Sequence, residues 1–152
     1  MSKERPINVV CRNRRALHDY FIESKVEAGI NLLGWEVKAL RAGRGQLQDS
    51  YADFKNGVLT LNHCHIPPLS STTHEAADPL RLRTLLVHRK EAAKLERELT
   101  LRGTALIPLT LYFKGPWAKV ELALARGKKK YDKRESLKKA EAEREMRRHV
   151  RG

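Results

Sequence analysis

His63, Cys64 and His65 stand together at the end of a β-prone run. Alternate residues of a strand point to one side, so His63 and His65 would share a face as two metal ligands do. No third or fourth ligand follows nearby, and two ordinary histidines at a strand edge explain the triplet better. Asp49, Ser50 and His88 supply the residue types of a hydrolytic triad. Yet no serine stands in a G-x-S-x-G elbow, and no carboxylate is placed to orient His88. Gly43-Arg44-Gly45 lacks the G-x-x-x-x-G-K-[ST] pattern of a phosphate loop and reads as a helix stop and a turn. Glu23, Glu27 and Glu36 are carboxylates without a partner fixed by spacing, and surface positions are the simplest account of them. No catalytic residue, metal or cofactor is expected.

Charge is the louder signal. The chain of 152 residues carries a net charge of +13. Arg126 to Gly152 hold twelve Lys and Arg against five Asp and Glu, so this terminal segment alone contributes +7. It has almost nothing apolar to bury, and it suits a polyanion, of which nucleic acid is the commonest with a shaped surface. No apolar run approaches a membrane span, and the first residues lack the apolar segment of a signal peptide. Cys11 and Cys64 are the only cysteines, which favours a reducing cytoplasm without a structural disulfide.

The elements that must position such a binding surface can be read in order. Residues 1–17 are polar and basic and read as a flexible start, with a short helical turn at Asn13 to His18. Residues 20–27 form a strand, and Gly29 and Gly34 bracket a second one at 30–33. Residues 36–42 form a short helix stopped by Gly43. Asn56-Gly57, between YADFK and VLTLN, predicts a type I′ hairpin of 51–55 with 58–62. Pro67, Pro68 and Pro79 mark residues 67–83 as a long loop. Ala92, Leu95 and Leu99 stripe a helix over 88–102, stopped by Gly103. Strands follow at 104–113, where Pro108 demands an edge or a bulge, and at 117–125. In the last strand Ala118, Val120, Leu122 and Leu124 face one way and Lys119 and Glu121 the other. Tyr20, Phe21, Tyr51, Phe54, Tyr112 and Phe113 lie mostly in strands; some could stack on bases, but core packing accounts for most of them. Roughly six short strands with one helix before the last two favour a small closed β-barrel of the oligonucleotide-binding (OB) kind. The organisation expected is a segment 1–17, a barrel 18–126 and a basic tail 127–152. The tail, rich in Ala, Glu, Lys and Arg, is expected to be helical when bound.

The blocks EAGI (27–30), GWEVKALRAG (34–43), DSY (49–51), IPLTLYFK (107–114) and GKKKYDKRE (127–135) resemble the SsrA-binding protein family, SmpB. The stretch DPLRLRTLLVHRKE (78–91) is similar to a further family block, with Thr84 where Lys is usual. The resemblance implies a mainly-β, OB-fold-like barrel with a few short helices and a basic tail, which is not an enzyme. It implies binding to the tRNA-like part of transfer-messenger RNA (tmRNA) and delivery to stalled ribosomes for trans-translation. Elongation factor Tu is the further partner implied, acting on the alanyl form of the RNA. A cytoplasmic monomer is expected.

Matched position by position, the resemblance assigns Glu27, Leu86 and Lys119 to the RNA. Lys119 lies on the polar face of its strand, suited to a phosphate. Leu86 would make an apolar contact. Glu27 cannot attract phosphate and would orient a basic partner or accept from a base or a 2′-hydroxyl. The resemblance assigns the tail to the decoding centre and vacant message channel of the small ribosomal subunit. Gly127, Lys128, Lys129, Tyr131, Asp132, Lys133 and Arg134 fall in the matched block. Lys138, Lys139, Arg144, Arg147 and Arg148 match by composition alone.

Overall fold

The computed structural model describes residues 6–69, 77–101 and 103–127. Seven strands and three helices alternate in these segments: β1 (Ile7–Arg12), α1 (Arg14–Asp19), β2 (Tyr20–Ile30), α2 (Gly34–Arg41), β3 (Tyr51–Lys55), β4 (Val58–Asn62), β5 (Arg83–Leu86), α3 (Arg89–Leu99), β6 (Thr104–Lys114) and β7 (Trp117–Gly127). The sheet runs β1-β6-β3-β4-β5-β2-β7 with every pairing antiparallel, and β6–β7 pairing closes it into a ring. Long β6 makes this closure possible. One of its edges serves β3 at Leu106 and then β1 from Thr110 to Lys114, while the other serves β7 throughout. The result is the expected small barrel with one strand added outside the ring.

Alternation decides the core. Val120, Leu122 and Leu124 of β7 point inward with Leu106, Leu111 and Phe113 of β6, and Ala39 and Leu40 of α2 join the same cluster. A second, smaller core lies on the outer surface, where Ala16 of α1 covers Ile107, Leu109, Ala123 and Ala125. Asn13 fixes that helix. Its Oδ1 accepts from the Ala16 N–H at 3.2 Å, and its Nδ2 donates to the carbonyls of Pro108 (3.1 Å) and Leu47 (3.3 Å). The turn foreseen at Asn13 to His18 is this helix.

Residues 7–12 correct the expectation of a flexible start over 1–17. Polar neighbours mask a strand whose Val10 and Cys11 pack against the core. Gly29 likewise does not end a strand. β2 runs through it to Ile30, and the Asn31 N–H continues the ladder to the Thr84 carbonyl at 3.0 Å. Residues 31–33 are therefore the approach to α2 and not a second strand. Within 67–83 the loop ends one residue early, because Arg83 opens β5, a strand too short and too charged in its flanks to be seen. The helix foreseen over 88–102 is Arg89–Leu99.

Other local readings hold. Asn56 (φ 52°) and Gly57 (φ 79°) take the positive φ angles of a type I′ turn. Pro108 sits at a bulge, where the register with β7 shifts between Pro108 and Thr110. Gly43 (φ 80°) ends α2 in a Schellman motif: its N–H donates to the Leu40 carbonyl and that of Arg44 to Ala39.

Candidate nucleic-acid interface

The three barrel residues assigned by resemblance meet at one glycine. β2 lies between β5 and β7, and Gly29 is paired with Leu86 on one side and Lys119 on the other. The register extends across five strands as one row: Val9, Tyr112, Lys119, Gly29, Leu86. Gly29 has no side chain, a Cβ there would lie 3.6 Å from that of Leu86, and Leu86 is 64% exposed. Two further rows flank this one on the same outer face. Towards the β6–β7 turn lie Ile7, Lys114 and Trp117. On the other side lie Arg12, Thr110, Glu121 and Glu27.

Glu27 is two residues from Gly29 and so shares its face. One carboxylate oxygen accepts from the Tyr112 hydroxyl, and the other lies 3.8 Å from the Lys114 ammonium. The basic side chain beside Glu27 is thus Lys114. Glu121 stands directly opposite Glu27, a like-charge pairing that Lys114 and the tyrosine proton offset. Burial, then the bond to Glu27 and the charges of Glu27 and Glu121, push the Tyr112 phenol well above its ordinary value of 10, so it stays a donor at neutral pH. Lys119 makes no ion pair among the described residues. The face therefore carries two lysine rows beside one in which Glu27 and Glu121 stand with Arg12.

Tyr112 was missed as a site residue because its adjacency to Phe113 reads as core. Phe113 is core, with the Arg41 guanidinium 3.8 Å from its ring centroid, whereas Tyr112 is covered from the outside. Counting pairs back from the Gly115-Pro116 turn would have placed Tyr112 opposite Lys119. Trp117 drew no notice in the sequence and is found by the same count.

Glu36 departs from expectation most. It is a fully buried carboxylate, not a surface one. It accepts from the Leu33 N–H (2.7 Å) and from Arg81 and Arg83, and Arg83 is itself fully buried and donates to the Cys64 carbonyl at 2.6 Å. Burial works to raise the carboxyl, but Arg81, the Leu33 N–H and Arg83 outweigh it and hold Glu36 below its ordinary value. The network ties the chain around 79–83 to α2 and belongs to the scaffold.

His63 has φ 60°, which breaks strand alternation, and its ring lies 5.6 Å from Tyr51. No group of three metal-ligating side chains occurs among the described residues. The Ser50 hydroxyl donates to the Leu47 carbonyl, and His88 stands at the N-cap position of α3 without a side-chain cap bond. Both cysteines are free, and burial pushes the Cys64 thiol up to about 11. Of the tail residues, Gly127 ends β7 opposite Tyr20, while Lys128, Lys129, Tyr131, Asp132, Lys133, Arg134, Lys138, Lys139, Arg144, Arg147 and Arg148 lie outside the described residues.

A closed antiparallel barrel carrying such a face defines an RNA-binding barrel of the OB-like class. Comparison with known proteins narrows the class. The SmpB protein family model matches residues 10–152. An SsrA-binding protein of Azotobacter vinelandii is 48% identical over 150 residues, covering 98% of this chain and 94% of its own. One of Geobacter sulfurreducens is 50% identical over 138 residues, covering 91% and 90%. A solved structure described as "tmRNA-SmpB: a journey to the center of the bacterial ribosome" superposes with a TM-score of 0.66 at 44% identity, covering 78% of this chain and 83% of that one. The chain belongs to the SmpB family.

Proposed function

We propose that this protein binds the tRNA-like part of tmRNA through the outer face of β2, β5, β6 and β7 and brings it to stalled ribosomes for trans-translation. It acts without catalysis of its own, as a cytoplasmic monomer, with elongation factor Tu carrying the alanyl-tmRNA alongside it. The observation that carries this reading is the convergence of Glu27, Lys119 and Leu86 about Gly29. Phosphates would meet Lys119 and Lys114, while Glu27 and Glu121 accept from 2′-hydroxyls or base amines. A duplex end or loop laid across the face is thereby oriented as well as held. The polarity of the face favours one structured ligand over arbitrary single strands.

The barrel, ending near Arg126, and the tail from Gly127 would divide the work. Tyr131, Asp132, Lys133 and Arg134 enter the decoding centre, and the later cations follow the message channel. Occupied by message, that channel excludes the tail by charge and volume, so the tail reports its vacancy. Deleting Lys133 to Gly152 is expected to leave tmRNA affinity within about twofold, as the proposed binding face is built from barrel residues, and to abolish tagging of the stalled chain. Parallel loss of affinity and tagging would refute the division.

A further inference from the structure

The β6–β7 turn carries a residue that the three assigned positions do not explain. Trp117 is 60% exposed at the tip, although an indole is a large apolar surface to leave in water. The turn beneath it is braced from two sides. The Gly115 N–H donates to the Pro6 carbonyl at 3.1 Å, the Gly115 carbonyl accepts from Arg41 at 3.3 Å, and Arg41 in turn covers the Phe113 ring. Trp117 is therefore an exposed ring on a stiff support. It pairs with Lys114 across the hairpin and lies two residues before Lys119 on the same face. The only other tryptophan, Trp35, packs against the core.

We propose that Trp117 is a stacking platform for an unpaired base of the folded RNA, with Lys114 and Lys119 taking the phosphates on either side. The inference rests on the proposed function and adds to it a position where a base is unstacked and read by its face. A rigid indole loses little freedom on contact, and every base offers it a π surface. The +13 charge of the chain and the two flanking lysines argue for an anionic, aromatic ligand over an apolar protein groove.

The test uses the full-length chain and a transcript of the tRNA-like part of tmRNA. In a W35F background, fluorescence of the remaining tryptophan should be quenched on titration. In the otherwise unchanged chain, W117A should weaken binding by about 5- to 150-fold, W117F should recover most of it, and the salt dependence should be unaltered in both. K119A should instead lower the salt slope by about 1. Wild-type binding with W117A unchanged would overturn this inference and leave the proposed function standing. Failure of the wild type to prefer the transcript over unstructured RNA would overturn the proposed function itself. Quenching by anionic phosphatidylserine vesicles but not by the transcript would overturn the base-stacking assignment in favour of a membrane contact.

Discussion

Glu27 shows how a carboxylate is held on the outer face of the barrel. Its oxygens are held by the Tyr112 hydroxyl and the Lys114 ammonium, so it enters any complex already aimed. The tyrosine matters more than the lysine, because the ion pair is half exposed and weak while the hydroxyl lies in a covered position. Tyr112→Phe should lower stability by about 1.5–3 kcal/mol, the cost of a hydrogen bond to a charged group, and weaken tmRNA binding by releasing Glu27. Urea melts and filter binding measure the two effects, and an unchanged melt would mean the bond is not made. The names of the three assigned residues came from resemblance to a family. Their meeting place did not, because Gly29 reads as a break and only the paired strands show it as the centre of a row.

Elements were legible where local chemistry is decisive. Asn56-Gly57, Gly43 and the alternation in β7 each impose one geometry on the backbone, and each appears as expected. β1 and β5 were not legible, since both owe their strand form to a neighbour: β1 to the second half of β6, and β5 to β2 and β4. The Glu36 network was hidden for the same reason, its partners lying 45 and 47 residues away. It fastens the segment before β5, and so Leu86, to α2. Glu36→Gln leaves the buried Arg83 without a counter-charge and should cost about 3–5 kcal/mol at neutral pH. Because the folded carboxyl is held below its ordinary 4.5, the stability it provides is complete above that value and is lost as pH falls through the folded value. Wild type and E36Q melting temperatures, well apart at pH 7, should therefore approach each other in acid. A constant gap down to the lowest pH at which both fold would remove the charge from the explanation.

The molecule as a whole separates a shaped surface from a charge reservoir. The outer face of β1, β2, β6 and β7 presents Arg12, Lys25, Lys114 and Lys119, and sets acidic groups among them. Eleven Lys and Arg follow Gly127. Affinity earned by counterion release scales with the phosphates neutralised, so the two parts should differ in how salt affects them. Binding of tmRNA should show a modest dependence, with log K falling by about 2–3 per decade of salt for some three phosphate contacts. Binding to vacant small ribosomal subunits should fall more steeply, and most of that excess should vanish when residues 128–152 are removed. Isothermal titrations of the full and shortened chains over a range of potassium chloride concentrations give both slopes. A ribosomal slope unmoved by the deletion would place the electrostatic contact on the barrel, and the tail would then have no part in sensing an empty channel.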